Sequence, residues 1–266
     1  MRRIIHLSDL HFGRVNPDLK APLLRKIEAL KPDLVVISGD LTQRARPNQF
    51  REAAAFIAQI GPPVLCVPGN HDTPLYNLFQ RFFAPFSRYK RYISEDLEPV
   101  YADPEVTVVG LNTVNPRALQ RGKFGKHARA RVCLALGEDA GQMRIVALHH
   151  PPEQAEGADK RLMKGARKAL HVLSACGADV VLSGHLHQAA TAPFRAAPDL
   201  LFVQAGTGLS TRVREQGDNT FNQLDITRDA LRVVTWSAQG AIDGVFIERD
   251  TSEWRRDAGL WRRAEA

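Results

Sequence analysis

Apolar positions in this chain cluster in short unbroken runs, several of them followed at once by glycine or a ligand-type polar residue. Ile4-Ile5-His6-Leu7, Leu34-Val35-Val36-Ile37, Val64-Leu65-Cys66-Val67, Ile145-Val146-Ala147-Leu148 and Val180-Val181-Leu182 lack the alternation of a half-exposed strand. Runs of this length without a polar face predict strands covered on both sides, as in parallel sheets. After the first run, Leu19, Leu23, Leu24, Ile27 and Leu30 recur at helical spacing. Asn16-Pro17 supplies an N-cap and a first-turn proline, and Pro32 a stop. A second helix from about Asn48 places Phe50, Ala54, Ile57 and Ile60 inward, ended by Gly61-Pro62-Pro63. Strands alternating with helices predict an α/β fold.

The pattern changes twice further on. Residues 75–93 are rich in aromatics, and the spacing predicts a short helix broken near Pro85. Phe79, Phe82, Phe83 and Phe86 are expected to pack this segment on the core; the sharper alternative is an aromatic wall of a substrate cleft, with Arg88 or Arg91 reaching in. A strand over Val106–Leu111 and helices over Ala128–Leu136 and Ala166–Ala175 follow, the last ended by Gly177. The last third reads as strands without helices, Leu200–Gln204, Asn222–Ile226 and Leu231–Ser237, with Thr227–Ala230 as a hairpin loop. That shift suggests a second, more antiparallel sheet packed on the first. One domain over residues 1–250 is expected. A tail over 251–266 repeats Trp-Arg-Arg at Trp254 and Trp261, as a docked helix or one lying on an anionic membrane or partner.

Composition narrows the class only a little. The chain has 266 residues, 44% hydrophobic and 24% charged, which is ordinary for one globular domain. Its opening reads as a strand and a ligand motif, not as the apolar stretch of a signal peptide, and no run is long enough to span a bilayer. Cys66, Cys133 and Cys176 are expected to be reduced core residues, with a cytoplasmic location as the default. The net charge of +7 is uneven: Val106 to Gly137 holds no Asp or Glu but includes Arg117, Arg121, Lys123, Lys126, Arg129 and Arg131. Lys160, Arg161, Lys164, Arg167 and Lys168 form a second group. Either group can draw in an anionic substrate or simply be a solvated surface. The excess is too dispersed to argue nucleic-acid binding.

Candidate chemistry sits at the ends of the apolar runs. There stand Asp9-Leu10-His11, Gly39-Asp40, Gly69-Asn70-His71-Asp72, His149-His150-Pro151-Pro152 and Gly184-His185-Leu186-His187. Positions 9, 40 and 70 are 31 and 30 residues apart, about one strand–helix–strand unit. Ligands in open α/β sheets bind beyond the carboxyl ends of strands, so these runs can converge on one crevice. Mixed imidazole, carboxylate and amide donors suit Fe, Mn, Zn or Co rather than Ca or Mg alone. A bridge between two cations needs a carboxylate, and Asp40 is central in the order. Asp9 and His11, like His185 and His187, would share a side of an extended segment. A strand-end Asp can instead cap a helix, and a lone His is usually structural; His6, His127 and His171 are read that way. His150 is expected to point away from its neighbour.

As an ordered set, Asp9-x-His11, Gly39-Asp40, Gly69-Asn70-His71-Asp72, His149-x-Pro151 and Gly184-His185-x-His187 resemble the calcineurin-like metallophosphoesterase superfamily. The form is nearest its bacterial cyclic-nucleotide and glycerophosphodiester phosphodiesterase branch. The resemblance implies an α/β/β/α sandwich of two packed mixed sheets flanked by helices. It implies one metal on Asp9, His11, Asp40 and His187, and a second on Asp40, Asn70, His149 and His185. Two such cations lower the pKa of a shared water and clamp an in-line displacement, so a bridging hydroxide would attack a small anionic phosphoester. His71 then falls to the role of general acid, and Arg14 is a candidate phosphate contact. Many members continue Gly-Asp-x-x-Asp-Arg-Gly, where this chain has Leu41-Thr42-Gln43-Arg44-Ala45. The partner that orients His71 is therefore open, between Asp72 and a backbone carbonyl. Competing readings are a phosphomonoesterase or pyrophosphatase on the same core, and a non-catalytic scaffold. Lipid-precursor pyrophosphatases typically carry Arg at the position of His71, and scaffolds usually lose it.

Overall fold

In the computed structural model, which describes residues 1–137, 141–154, 160–213, 217–238 and 245–264, β1 (Arg2–Leu7), β2 (Leu34–Ile37) and β3 (Val64–Cys66) run parallel. They are joined by α1 (Lys20–Leu30) and α2 (Pro47–Ile57). The expected cap is present: the Asn16 side chain accepts from the Asp18 N–H at 3.1 Å. In α2 the buried face is Gln49, Phe50, Ala53 and Phe56. The expected face of Ala54 and Ile57 is rotated, because Gln49 turns inward to accept from the Arg44 N–H (2.9 Å) and Phe56 packs on Phe12.

After β3 come α3 (Leu78–Phe83), α4 (Ser87–Tyr92), β4 (Val100–Ala102), β5 (Val106–Leu111), α5 (Lys126–Leu136), β6 (Met143–Leu148), α6 (Ala166–Ala175) and β7 (Val180–Ser183). The chain continues through β8 (Ala190–Phe194), β9 (Ala197–Gln204), β10 (Thr220–Ile226), β11 (Ala230–Ala238), β12 (Phe246–Asp257) and β13 (Leu260–Arg263). One sheet has the order β13-β12-β11-β10-β1-β2-β3 and the other β4-β5-β6-β7-β9-β8. The strands of the last third thus do not make a sheet of their own. β9 continues the second sheet parallel to β7, and β10 pairs antiparallel with β1, extending the first.

Alternate residues of each strand enter different cores, which accounts for the unbroken apolar runs. Ile4, Leu34 and Val36 meet Val108, Ile145 and Leu182 between the sheets. Ile5, Val35 and Ile37 face Leu23, Ile27 and Phe50 on the outer side of the first sheet. Val109, Val146 and Val181 face Val132, Leu170 and Leu173 on the outer side of the second. The result is the α/β/β/α sandwich.

Three expectations fail here. Residues 251–263 are strand, not helix: β12 and β13 form a hairpin, and Trp254 and Trp261 are buried against the inter-sheet core. Pairing explains the spacing of seven. Arg256 sits opposite Trp261, and Trp254 lies two residues before Arg256, so both indoles share one face. The turn uses Ala258 and Gly259, both with positive φ (49° and 82°). Second, Phe79, Phe82 and Phe83 are exposed, whereas Phe86, Tyr89 and Tyr92 pack on the core. Third, Cys133 on α5 and Cys176 at the end of α6 are joined in a disulfide, with Cα atoms 4.9 Å apart, because the two helices pack side by side; Cys66 is free and buried. That pairing removes the cysteines as support for a reducing compartment. Among the described residues no helix is long and apolar enough to cross a membrane.

Candidate metal centre

The ends of β1, β2 and β3 in one sheet and of β6 and β7 in the other carry Asp9, His11, Asp40, Asn70, His149, His185 and His187. Asp9 follows β1, where its N–H bonds the Gly39 carbonyl at 3.0 Å. Its Oδ2 accepts from Ser8 Oγ (2.6 Å) and the His185 N–H (2.9 Å), which ties the two sheets together at the site. Its Oδ1 faces His187 Nε2 at 3.1 Å and His11 Nε2 at 3.6 Å. Asp40 Oδ2 lies 3.2 Å from His149 Nε2 and 3.9 Å from His11 Nε2, while Oδ1 accepts from the His71 N–H at 2.8 Å. One oxygen of Asp40 therefore looks to both sides of the cluster. Asn70 Oδ1 is buried without a donor among the described residues.

The backbone reaches this arrangement in a way the sequence pattern does not suggest. Asp9 and His11 both have φ of 52°, Asp40 53°, His185 72° and His187 60°. These five are left-handed, not extended, so the shared side of each pair arises from a repeated αL conformation. Each costs about 1 kcal/mol or more, a cost that persists where the surroundings over-determine it. Glycines permit the close approach. A Cβ at Gly69 would meet the Asp40 backbone nitrogen and Oδ1 at 2.2 Å, and one at Gly184 would meet Asp9 Oδ2 at 2.5 Å.

Orientation of the rings follows a common rule. His149 Nδ1 donates to the Ser38 carbonyl (2.8 Å), His187 Nδ1 to the Arg212 carbonyl (3.1 Å) and His71 Nδ1 to the Gln43 carbonyl (2.8 Å). Each bond fixes the tautomer that turns an Nε2 acceptor inward, the support that metal-ligating imidazoles usually have. Ring nitrogens meet closely: His11 and His187 Nε2 are 3.2 Å apart, and His185 Nδ1 is 3.3 Å from His149 Nε2. Lone pairs facing each other at that range repel unless a proton or a cation lies between. Together with the donor-less Asn70 oxygen, this donor set fits divalent cations. The smaller groupings of Asp9, His11 and His187 and of Asp9, Asp40 and His149 each hold their ligand atoms within 4.8 Å.

The charged groups of the cluster shift one another. Burial alone would raise the carboxyls of Asp9 and Asp40, but the facing imidazoles hold both well below the usual range. Burial disfavours a charged His149, yet Asp40 outweighs it and lifts the ring to about 9. Burial and the neighbouring His150 and His149 push His185 well down. His71 is lowered by burial, with Asp40 opposing.

The open question of what orients His71 has an answer: the Gln43 carbonyl does. Asp72 is occupied elsewhere, accepting from the N–H groups of Leu41 (3.1 Å), Thr42 (2.8 Å) and Gly69 (2.9 Å) to fix the loop after β2. Burial and the charge of Asp40 push its carboxyl up to about 7. His150 does not point away as expected. Its ring packs 4.7 Å from that of His185, centroid to centroid, with Nδ1 on Thr113 Oγ1 at 2.9 Å. His6 bonds Ser38 Oγ and stays outside the cluster, and His127 and His171 are exposed. Arg14 is also exposed; its carbonyl, not its guanidinium, is used, accepting from the Thr211 N–H. The residue that sequence reasoning missed is Arg212. Its guanidinium lies 3.4 Å from both His71 Nε2 and Gln43 Oε1, and nothing in the pattern around Ser210-Thr211-Arg212 marks it.

Residues 2–189 match the model of the family described as calcineurin-like phosphoesterase. The chain is 27% identical over 223 residues to a probable cyclic nucleotide phosphodiesterase of Synechococcus, covering 78% of this chain and 77% of that protein. It is 25% identical over 169 residues to a glycerophosphodiester phosphodiesterase of Enterobacter lignolyticus, covering 56% of each. Among solved structures, a purple acid phosphatase from yellow lupin (Lupinus luteus) superposes with a TM-score of 0.73 at 15% identity. That overlap spans 97% of this chain and 54% of the other, and is a likeness of fold alone.

Proposed function

The chain belongs to the calcineurin-like phosphoesterases, and from that membership and the geometry of its site we propose a two-metal phosphodiesterase acting on a small diester of the cyclic-nucleotide or glycerophosphodiester type. The observation that carries the reading is Asp40 Oδ2, which faces His11 on one side and His149 on the other. Asp9, His11, Asp40 and His187 would hold one cation, and Asp40, Asn70, His149 and His185 the other. Two bound cations supply Lewis-acid polarisation of the phosphoryl group and lower the pKa of water to near neutrality. Donor chemistry favours Mn, Fe, Zn or Co.

The remaining roles fall to side chains at the rim. Gln43 holds the His71 Nδ1–H, so Nε2 is the atom that carries and delivers a proton. Burial makes that proton loosely held, which suits donation to a leaving alkoxide. Arg212, 3.4 Å from Nε2, would pair with a non-bridging phosphoryl oxygen. An anionic phosphoryl group between the two cationic groups compensates both. The diester preference is supported by the relatives, a probable cyclic nucleotide phosphodiesterase and a glycerophosphodiester phosphodiesterase. It is tested by comparing bis-p-nitrophenyl phosphate with p-nitrophenyl phosphate on metal-reconstituted protein, followed by 2′,3′- and 3′,5′-cyclic nucleotides and a glycerophosphodiester. Higher kcat/KM for the diesters is expected; faster turnover of the monoester would move the protein to the phosphomonoesterase reading.

A further inference from the structure

The aromatic helix α3 projects into solvent beside the metal centre. Phe79 is 73% exposed and Phe83 75%, their rings in contact at 4.7 Å, and Tyr76, Leu78 and Phe82 are exposed with them. Leu119, in a separate turn, is exposed as well. The buried Arg81 side chain ties α3 to the Leu119 turn, donating to the carbonyls of Pro116 (2.7 Å) and Ala118 (2.6 Å). So many exposed apolar side chains on one six-residue helix are unusual on a protein that stays in water. The helix's anchoring through a buried arginine makes it a built feature and not a frayed end.

Charge identifies the occupant. Neither residues 73–93 nor residues 106–137 contain an Asp or Glu. Arg46 and Arg88 lie over the Tyr76 ring, at 5.7 and 5.4 Å from its centroid, and the exposed Arg117 and Arg121 flank Leu119. A second copy of this chain would bring the same cations face to face and be repelled. An acidic protein would need a concave partner for side chains that stand out from a convex turn. A lipid interface needs no such shape: it takes protruding aromatics into the acyl boundary and offers phosphates to the arginines. We propose that α3 and the Leu119 turn are a docking surface for anionic bilayers. Tyr76 and Arg88 also touch the loop of Ala45 and Arg46, close to the Gln43 carbonyl that orients His71, so docking would set the metal centre at headgroup level. This concerns binding and stands apart from which ester is hydrolysed.

The test is flotation of the full-length chain with vesicles of phosphatidylcholine alone and of phosphatidylcholine mixed with phosphatidylglycerol. Binding to the mixed vesicles that weakens with added salt is expected. The double variant Phe79→Ser with Phe83→Ser should bind at least about tenfold more weakly, with unchanged melting temperature and hydrolysis of a soluble diester. Arg117→Gln with Arg121→Gln should lose the preference for anionic vesicles while keeping the fold. No binding by the native chain, or equal binding by the serine variant, overturns the proposal. So does a concentration-dependent dimer that the serine variant abolishes without any vesicle binding, which would assign the patch to a second copy.

Discussion

His71 separates ligand from acid at the scale of single residues. It lies near His11 and Asp40, and the three could share an ion, yet its Nδ1 is committed to Gln43 and its Nε2 faces Arg212. If it delivers a proton, His71→Ala keeps its metal while kcat falls. The loss should reach about 10²–10⁴-fold with a poor alkoxide leaving group and shrink with p-nitrophenolate, which needs little protonation. Loss of a metal ion from this variant would make His71 a ligand instead, and equal losses across leaving groups would point to electrostatic stabilisation of the phosphoryl oxygens. Asp9, His11, Asp40, Asn70, His149, His185 and His187 were legible because each follows an apolar strand run, a position that carries meaning in any α/β sheet. Their left-handed backbone was not, because Asp and His give no local signal for positive φ comparable to that of glycine. Arg212 was hidden for another reason: its place beside His71 depends on a loop from the opposite sheet.

Elements show where periodicity succeeds and where it misleads. α1 and the buried strands follow from their patterns because each has a face packed on a sheet. Spacing located α2 but misplaced its buried face, which is Gln49, Phe50, Ala53 and Phe56. The tail defeated the same reasoning: a spacing of seven reads as two helical turns, but a two-residue turn between paired strands also brings such residues to one face. Its energetics offer a check. Trp254 and Trp261 are buried, Trp261 Nε1 donates to the Asp179 carbonyl at 3.0 Å, and Arg256 pairs with the Asp179 carboxylate at 2.5 Å. Trp261→Ala should therefore lower the stability by about 3–5 kcal/mol, read as a shift in the urea midpoint. A change within about 0.5 kcal/mol, as for a surface position, would show that the hairpin is not part of the core. The exposed phenylalanines of α3 were misjudged because hydrophobic content alone does not reveal which face of a short helix has a partner.

For the whole molecule, the site is a seam. Asp9, His11, Asp40 and Asn70 come from one sheet and His149, His185 and His187 from the other, so the packing of the inter-sheet core sets the spacing between the two halves of the ligand set. Asp40 joins those halves, and the account stands or falls on its bridging role. Metal content per chain, measured by elemental analysis after reconstitution with Mn or Fe, tests it most directly. The native chain should retain about two ions and Asp40→Ala should lose both, as a shared carboxylate requires. One ion or none in the native chain, or undiminished metal in Asp40→Ala, would contradict the bridged centre.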